Sequence, residues 1–581
     1  MATRSIRRRT AVAVLAVGAI VCLLGVKLVD IQVVRAAEFD SASASKRTGS
    51  TPIYGERGQI LDAEGTVLAD NVMRYDVSVS PSVARQSGER ELREATDAIG
   101  AITGQGGAAV LGIIDDALKE NPDSLYALVE KDVDVATFDK LDKLDIPWLY
   151  FSKHYARSYP DGAVAGNLLG FVSAEGKPQA GVEKLEDACL AGENGEETYR
   201  RSEDNVAIPG TTIVTKPAKD GSDVKLTIDA DLQWFAQQKL AETLPGLGAP
   251  YGFVLVQEAK TGKVRVAAQS PTVDPNDVDG TPEDFWGARM FSSPYEPGST
   301  FKALTAAMLV DQGLADPTSQ VLAPYLFESG NGAKVTDTDY HQPERLTLTG
   351  VLMESSNTGM SLLGQRLDDQ QRYDYMTKLG LGEKTAVGFP GESGGILHPT
   401  DEWDDQTKYA TMFGQGLATT PMQMLSAFQT LGNGGVRMPV RIVEGCVHDD
   451  GTVTEPSEPE PVKVFSPKAA QTTLEMMESV STEGPISKTI GIPGYRIAAK
   501  TGTAQQPDGE GGYRSTYYVS VMGVVPVDDP QYVVSVNIAY PTTITWSMAA
   551  APLFKTIMTQ VLKTYRVKPS TQPSPDYPPY Y

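Results

Sequence analysis

A single apolar run near the N-terminus sets the first limit on how this chain can fold. Residues Ala11 to Val26, continued by Leu28 and Val29, are just long enough to cross a bilayer core, which takes ~20 residues for about 30 Å. Arginines precede this run, and no acidic residue lies before Lys27. The positive-inside rule therefore predicts a cytoplasmic N-terminus (1–10), an anchor (11–34) and an extracytoplasmic remainder.

A cleaved signal peptide is the alternative to an anchor. Its apolar core is usually shorter, about 7–15 residues, and is followed directly by a small-x-small cleavage site. Here Lys27 and Asp30 follow, and the nearest match to such a site is the poor Val34-Arg35-Ala36. We therefore favour a single-pass plasma-membrane protein, and no second apolar run of spanning length occurs in the sequence.

Composition narrows the class of protein further. The chain has 581 residues, enough for two or three domains, with 51 Lys plus Arg against 74 Asp plus Glu. A net charge of −23 argues against a nucleic-acid binder, which would carry a basic footprint. The four histidines show no metal-ligand spacing, so we expect no metal and no cofactor. Cys189 and Cys446 lie in the extracytoplasmic part, where a disulfide is possible but free thiols are equally consistent with the sequence.

Strand patterns predict an α+β fold for the second domain. Two strands flank the turn at Lys260 to Lys263, a helical middle follows, and three more strands are predicted at 495–499, 517–525 and 532–539. This order suggests a mainly antiparallel five-stranded sheet covered by helices. The predicted domain ranges after the anchor are a first α+β domain, a second domain and a disordered Pro-rich tail: 35–235, 236–566 and 567–581.

The first of three polar motifs pairs a serine with a lysine one helical turn away. Pro297-Gly298 interrupts structure just before Ser299, and apolar residues at helical spacing follow, so Ser299 and Lys302 share a face at a helix N-terminus. A serine hydroxyl needs an adjacent base to act as a nucleophile. A lysine serves as that base only if its pKa falls from about 10.4 to near 7. Burial and the positive charge of Lys500 would supply that change.

The other two motifs offer groups for proton transfer and for binding a carboxylate. Ser355-Ser356-Asn357 falls within a helix predicted over Thr349–Leu367. Ser355 could pass a proton to a leaving amine, and Asn357 could hydrogen-bond Lys302 and a substrate amide.

Lys500-Thr501-Gly502-Thr503 is predicted to end a strand, where Gly502 lets a ligand approach the backbone. The N–H groups of Ser299 and Thr503 would form an oxyanion hole. Lys500, Thr501 and Thr503 together suit a substrate carboxylate.

None of the three motifs is specific alone. Each has a second match in the chain, at Ser43 to Lys46, Ser535 to Asn537 and Lys260 to Gly262. Taken singly, they are better explained as a helix cap beside a surface lysine, a polar helix connection and an exposed strand end. Only one set combines the right order with consistent spacing, which indicates a serine acyl-transfer site.

The ordered set resembles the penicillin-recognising serine acyltransferases, whose signature is S-x-x-K, S-D-N and K-T-G. The flanks at Tyr295 to Lys302, Glu354 to Gly359 and Lys500 to Gln505 are similar to class B penicillin-binding proteins.

The first domain resembles the pedestal of that class, with motifs at Arg57 to Asp62, Arg157 to Val172 and Gly181 to Glu183. Ala63 departs from the basic residue often found after that Asp, which weakens a local pedestal contact. Glu296 is typical of the septal subclass.

The resemblance implies a membrane-anchored D,D-transpeptidase with an elongated, non-catalytic pedestal. Ser299 would attack stem peptides, Lys302 would be the base, Ser355 the proton relay and Asn357 the positioner. Thr501, Gly502, Thr503 and Lys500 would bind the substrate. The partners implied are the lipid-linked peptidoglycan precursor, penicillins, a multispanning glycan polymerase and other division proteins.

Other functions use the same residues. A D,D-carboxypeptidase or β-lactamase would pass the acyl group to water, although a simple hydrolase has no need of a pedestal. Side-wall elongation instead of septal synthesis is also open. From another class, a silent β-lactam sensor or divisome scaffold would keep the fold and lose the reaction, which the complete motif set makes the weaker hypothesis.

Overall fold

The computed structural model describes residues 2–35, 48–173, 175–201, 208–509 and 512–581. These residues fall into two compact units, the first within 1–56 and 192–221 and the second within 57–191 and 222–581. The predicted domain limits at 35–235 and 236–566 stay predictions, because 57–191 belongs to the same unit as the second domain. The motif match at Ser43 to Lys46 lies outside the described residues.

The β-strands are numbered here in chain order. They are β1 Thr48–Ile53, β2 Ile60–Leu61, β3 Val67–Val79, β4 Ala127–Val133, β5 Leu149–Ser158, β6 Gly195–Arg200, β7 Ile213–Lys216, β8 Asp223–Leu226, β9 Tyr251–Glu258, β10 Val264–Ser270, β11 Gln320–Ala323, β12 Leu326–Glu328, β13 Lys334–Thr336, β14 Glu344–Thr347, β15 Val436–Arg437, β16 Val443–Val447, β17 Val453–Thr454, β18 Val462–Lys463, β19 Ala498–Pro507, β20 Tyr513–Val525 and β21 Tyr532–Ala539.

The α-helices are numbered in the same way. They are α1 Ala2–Val29, α2 Pro81–Ala84, α3 Glu89–Thr103, α4 Gly107–Glu120, α5 Val135–Asp142, α6 Gly166–Leu169, α7 Gly181–Leu185, α8 Asp187–Leu190, α9 Ala230–Leu247, α10 Arg289–Ser292, α11 Lys302–Asp311, α12 Leu348–Glu354, α13 Asn357–Gly364, α14 Asp369–Lys378, α15 Asp405–Ala410, α16 Pro421–Gly432, α17 Pro467–Thr482, α18 Ser487–Ile490 and α19 Ala551–Thr564.

The first unit contains the N-terminal helix and a small sheet. α1 continues into a π-helical turn at Asp30–Val34. The most apolar 18-residue stretch within Ile6–Val34 has a mean hydropathy of 2.7, and none of that stretch is buried. A helix that is apolar and exposed all round suits lipid. This is the one unbent helix in the described part of the chain that is long and apolar enough to span a membrane. The sheet has the strand order β1-β6-β7 and is antiparallel.

The N-terminal part of the second unit, residues 57–191, is built around one long strand. β3 pairs antiparallel with β5 from Asp70↔Ser158 to Val79↔Leu149, and also with β4. The helices α3 and α4 contribute Ile99 and Ile114 to a buried cluster with the sheet.

The three motifs that resemble the pedestal meet at one buried carboxylate. Glu183 is fully buried, and its two oxygens accept Arg57 Nε at 2.6 Å and Arg157 Nε at 2.7 Å. Tyr159 Oη also donates to Glu183, at 3.2 Å. A buried carboxylate is costly unless paired and hydrogen-bonded, so the three motifs depend on one another.

A short strand joins residues 57–191 to the second domain. β8 pairs in parallel with β2 at Ile60↔Val224 and antiparallel with β16 at Cys446↔Val224. The result is a seven-stranded sheet that contains β17-β16-β8-β2-β3-β4, with β5 paired to β3. At the same junction, Cys189 on α8 and Cys446 on β16 form a disulfide across a sequence separation of 257 residues.

The second domain is organised around the predicted five-stranded antiparallel sheet, in the order β10-β9-β21-β20-β19. Alternating strand residues pack on opposite faces, so Val254 contacts one buried cluster and Leu255 the other. α9 and α19 cover the first face. α16 and α17, with α11 against α17, cover the second, which carries the motif residues.

The C-terminal residues differ from the prediction of a disordered tail. Residues 569–581, called the C-terminal strap below, lie along the second domain and are hydrogen-bonded at intervals. Thr571 N donates to Asp528 Oδ2 at 2.7 Å, and Thr347 N donates to Pro579 O at 3.0 Å. Proline lacks an N–H but keeps its carbonyl, so a Pro-rich segment can still be fixed through its acceptors.

Candidate active site

The first motif lies where a tight turn enters a buried helix. Gly298–Phe301 form a 3₁₀ turn that continues directly into α11. Gly298 has φ of +55°, and a side chain there would come within 2.6 Å of Ala504 Cβ on β19. Lys302 is fully buried, and its Nζ donates to Ser299 Oγ at 3.0 Å. The predicted pairing of serine and lysine is therefore present in the folded chain.

The second motif breaks a helix that the sequence predicts as continuous over 349–367. Ser355 adopts a left-handed backbone conformation with φ of +61°, which ends α12, and α13 begins at Asn357. Ser356 caps α13 by accepting Gly359 N at 2.8 Å. The break turns both polar groups of Ser355 toward lysines. Its carbonyl oxygen accepts a short hydrogen bond from Lys302 Nζ, and its hydroxyl faces Lys500 Nζ.

The third motif lies near the start of β19, which continues to Pro507, and not at the end of a strand as predicted. Lys500 is fully buried, and its Nζ lies 2.9 Å from Ser355 Oγ and 3.3 Å from Thr501 Oγ1. A side chain at Gly502 would come within 2.5 Å of Ser520 Oγ and 3.0 Å of Thr300 Cγ2. Glycine is needed here because β19 packs directly against the turn that carries Ser299.

The three motifs thus form one connected cluster, which contains Ser299, Lys302, Ser355, Lys500 and Thr501. Lys302 Nζ reaches Ser299 Oγ at 3.0 Å and Ser355 Oγ at 3.4 Å. Lys500 Nζ then reaches the same Ser355 hydroxyl at 2.9 Å. A proton can therefore pass from Ser299 through Lys302 to Ser355 without a large movement of any side chain.

Burial controls the protonation of both lysines. It lowers the pKa of Lys302 to about 7, against the negative charge of Asp337, which raises it. Burial, followed by the positive charge of Lys302, lowers the pKa of Lys500 well below its usual value. Burial therefore favours the neutral amine at both positions. Lys302 is left with the pKa that a general base needs near neutral pH.

Asp337 is a site residue that the motifs did not reveal. It follows β13, is buried, and accepts the backbone N–H groups of Asn357 at 2.5 Å and Thr358 at 3.0 Å. Ser356 Oγ donates to its second oxygen at 2.7 Å. An acidic residue at a helix N-terminus is favoured by the unpaired N–H groups. A lone Asp far from the motif in sequence gives no local signal of this contact.

The remaining contacts of the second motif extend to a histidine. His341 Nε2 lies 3.0 Å from Asp337 Oδ2, and its Nδ1 lies 2.8 Å from Gln342 O. Burial opposes protonation, but these hydrogen bonds outweigh it and raise the pKa of His341. Asn357 is placed differently from the expectation, because its Nδ2 donates to Thr336 O at 2.9 Å and no hydrogen bond joins it to Lys302 among the described residues.

Glu296 is a second buried carboxyl, three residues before Ser299. Its Oε1 accepts Gly416 N at 3.0 Å and Tyr513 Oη at 3.2 Å, while Oε2 is buried and has no hydrogen-bond partner among the residues that the structure describes. The side chain of Gln506 on β19 makes two hydrogen bonds with the backbone of Glu296. It donates to the carbonyl oxygen at 3.0 Å and accepts from the N–H at 2.8 Å. Burial raises the pKa of Glu296 to about 7, although the hydrogen bonds oppose this.

The two duplicate motif matches that the structure describes have ordinary structural roles. Lys260 to Gly262 lies in the turn between β9 and β10, as the hairpin pattern predicts, and Gly262 has φ of +77°. Ser535 to Asn537 lies inside β21, where Asn537 Nδ2 donates to Ser535 Oγ at 2.8 Å. Thr503 is on β19 beside the cluster, so its predicted share in an oxyanion hole stays a prediction.

Two family descriptions match this chain. Residues 252–559 match "Penicillin binding protein transpeptidase domain" and residues 52–226 match "Penicillin-binding Protein dimerisation domain". The first range contains all three motifs of the cluster. The second contains the residues that meet at Glu183.

Similar proteins span most of the chain. It is 34% identical to the penicillin-binding protein PbpB of Mycolicibacterium smegmatis over 97% of this chain and 91% of that protein. It is 30% identical to the peptidoglycan D,D-transpeptidase FtsI of Escherichia coli over 88% of this chain and 84% of that protein. The structure of penicillin binding protein 3 from Mycobacterium tuberculosis complexed with aztreonam matches with a TM-score of 0.70 at 28% identity, covering 91% of this chain and 100% of that one.

Proposed function

This chain belongs to the class B penicillin-binding proteins and is a peptidoglycan D,D-transpeptidase, and we propose that Ser299 carries the acyl group. The proposal extends to the roles of the other cluster residues and to use of the enzyme in septal cell-wall synthesis. One observation carries it: Lys302 Nζ lies 3.0 Å from Ser299 Oγ and is fully buried.

The first half-reaction forms the acyl-enzyme. Lys302, neutral near pH 7, takes the proton of Ser299 as Oγ attacks the carbonyl carbon between the two D-Ala residues of a stem peptide. The N–H groups of Ser299 and Thr503 would stabilise the oxyanion, and one such donor is typically worth about 10²–10³ in turnover. Terminal D-Ala leaves with the proton that Lys302 accepted.

Ser355 would relay that proton to the leaving nitrogen. Its Oγ lies 3.4 Å from Lys302 Nζ and 2.9 Å from Lys500 Nζ, so it can accept from one lysine while donating to the substrate. Asn357 would then orient the stem-peptide amide across the cleft.

The terminal carboxylate of the donor peptide would bind at the third motif, beside Lys500, Thr501 and Thr503. A carboxylate next to Lys500 favours its protonated form and so offsets the loss of charge caused by burial. Gly502 keeps the strand backbone open to the peptide. An acceptor amine from a neighbouring stem attacks the ester in the second half-reaction, loses a proton through the same residues, and frees Ser299. Penicillins acylate Ser299 as substrate mimics.

The N-terminal helix fits a single-pass membrane anchor with its basic end in the cytoplasm and the catalytic domain outside. The disulfide between Cys189 and Cys446 supports an oxidising, extracytoplasmic location. A transpeptidase held at the membrane needs nascent glycan, so its partner would be a multispanning polymerase that works on the lipid-linked precursor, together with other division proteins. The acidic side chain at Glu296 supports the septal subclass.

The test is covalent labelling of the full chain in detergent. Incubation with a penicillin should add the mass of the drug to the peptide that contains Ser299, and Ser299→Ala should abolish the adduct. Release of hydrolysed drug without a lasting adduct would point to a β-lactamase. Intact drug and unmodified protein would point to a sensor or scaffold.

Depleting this protein in growing cells tests the septal assignment separately. Long undivided cells are expected if the enzyme works at the septum, and full growth restored by the Ser299→Ala chain would contradict a catalytic role. Loss of cell shape with normal division would instead indicate side-wall synthesis.

A further inference from the structure

The C-terminal strap contacts the short helix that ends at Ser355. After passing Asp528, the strap reaches α17, where Tyr577 Oη donates to Glu475 Oε2 at 3.2 Å. It then crosses to α12, and Tyr580 forms a β-bridge with Leu346 just before that helix. The strap therefore joins two helices of the same face through backbone and side-chain contacts.

The N-terminus of α12 is fixed to the strap by its capping residue. Thr347 caps the helix by accepting Gly350 N at 3.1 Å, and the same hydroxyl donates to Pro578 O at 2.7 Å. Its backbone N–H donates to Pro579 O at 3.0 Å. Gly350 leaves room for this approach, since a side chain there would come within 1.9 Å of Pro579 O.

The C-terminus of α12 is fixed as well. Tyr580 Oη donates a short hydrogen bond to the carboxylate of Glu354, the last residue of the helix. Both side chains are exposed, so water competes for each partner, and this hydrogen bond adds to the contacts at Thr347 instead of holding the helix alone. The strap thus contacts both ends of a helix that runs only from Leu348 to Glu354, and the next residue is Ser355.

Ser355 is the residue whose position depends on this helix. Its φ of +61° is unfavourable for a residue with a side chain, and such conformations persist only when the surroundings hold them. Its hydroxyl must also stay within reach of both lysines, at 3.4 Å from Lys302 Nζ and 2.9 Å from Lys500 Nζ. A shift of α12 along its axis would change both distances.

We propose that Tyr580 is a positioning residue for Ser355, and that the strap holds α12 in the register at which Ser355 can relay a proton. Tyr580 touches neither substrate nor nucleophile and acts through Glu354. The inference rests on the proposed function, because it takes Ser355 to be the proton relay. It assigns to Tyr580 and to the backbone carbonyls of Pro578 and Pro579 an indirect part in turnover, through the position of α12.

Two substrates that differ in their leaving group give the test. With a penicillin, Ser299 Oγ bonds to the carbonyl carbon, the C–N bond breaks, and the nitrogen takes a proton through Ser355. With a thioester substrate the C–S bond breaks, and the thiolate leaves without a proton. A fault in the relay therefore slows the penicillin reaction selectively, whereas general damage to the fold slows both.

The experiment measures acylation rates of the full chain in detergent with both compounds. Tyr580→Phe should slow acylation by the penicillin about 3–10-fold and by the thioester less than about 2-fold. Tyr577→Phe is the matched control, since it removes a strap hydroxyl that bonds to α17, and it should leave both rates unchanged. Glu354→Ala should have the effect of Tyr580→Phe, and the double variant should be no slower than either single one.

Ser355→Ala separates the two levels of the argument. If Ser355→Ala shows the selective loss and Tyr580→Phe matches wild type on both compounds, the strap inference is overturned and the proposed relay stands. If Ser355→Ala slows both compounds equally, the relay itself is wrong and the strap inference falls with it. Equal slowing of both compounds by Tyr580→Phe would make the strap a merely structural element.

Discussion

The carboxylate of Asp337 accepts the backbone N–H of Asn357 at 2.5 Å, and this hydrogen bond fixes the start of α13 directly after the second motif. The same carboxylate raises the pKa of Lys302 through its negative charge. One residue outside every motif therefore fixes the backbone at the start of α13 and also acts, against the larger effect of burial, on the pKa of Lys302.

Replacing this residue tests both effects. Asp337→Asn keeps one acceptor oxygen but loses the charge and the second acceptor, which serves Ser356 and His341. We expect a loss of about 2–3 kcal/mol in the free energy of unfolding, because buried donors lose an ionised partner. The pH at which penicillin acylation is half-maximal should also fall. Asp339→Asn, at an exposed position two residues on, is the control and should change neither quantity.

The pKa of Lys302 predicts how acylation depends on pH. Burial lowers it to about 7, so the lysine is protonated and inactive as a base below that pH and neutral above it. The acylation rate should therefore rise with pH through a midpoint near 7. Lys302→Arg keeps a permanent charge and should slow acylation by about 10²–10⁴-fold at pH 7.

A solvent-exposed lysine provides the control for that experiment. Lys563→Arg, at an exposed position on α19, should leave the rate and its pH profile as in wild type. A midpoint above pH 9 in the wild-type chain would contradict the role of burial at Lys302.

The raised pKa of Glu296 predicts a stability that depends on pH. Burial raises it to about 7, so the folded chain holds this proton more tightly than the unfolded chain, in which the usual value is 4.5. The contribution is complete below pH 4.5 and is lost as pH rises to about 7, by roughly 3 kcal/mol. The melting temperature of wild type should fall across this window relative to Glu296→Gln.

Glu64→Gln, at an exposed position, is the control for this effect and should track wild type at every pH. Parallel melting curves for wild type and Glu296→Gln from pH 5 to 8 would show that Glu296 is ionised throughout and would remove the prediction.

The disulfide between Cys189 and Cys446 predicts sensitivity to reductant. It closes a loop with a sequence separation of 257 residues, and loops of that length give a stabilisation on the order of 3–5 kcal/mol. The double substitution Cys189→Ser with Cys446→Ser should lower the melting temperature and make it insensitive to reductant. Neither cysteine contacts the described site residues, so acylation at 25 °C should be unchanged.

Cys22→Ser is the matched variant, since it removes a cysteine that forms no disulfide in the structure. Thiol counting by mass on the chain isolated from membranes gives an independent check. Three free thiols there would refute the bond.

The sequence predicted which residues lie together at the site better than it predicted the backbone that holds them. The order of the motifs and the alternating strands predicted the five-stranded sheet and the approach of Lys302 to Ser299. The left-handed conformation of Ser355 was not predictable, because the groups that contact it, Lys302 and Lys500, are remote in sequence. Asp337 was missed for the same reason, since a carboxylate that accepts the first N–H groups of a helix can come from any segment that folds nearby.

The tail shows the limit of composition as a guide. Proline and serine content predicted disorder, but Pro578 and Pro579 each present a carbonyl to Thr347. A high proline content shows that a segment lacks backbone N–H donors, but it does not show whether the backbone carbonyls of that segment will accept hydrogen bonds.

The place of β8 in a shared sheet has a mechanical consequence. A strand paired on both sides, with β2 and with β16, cannot act as a hinge unless two ladders break. Tension applied to residues 57–191 while glycan strands are pulled apart would be carried along β8 in shear, with the Cys189–Cys446 bond beside it as a covalent limit. A force on residues 57–191 would then be transmitted to the catalytic domain through β8, and the two parts would not bend relative to each other at that strand.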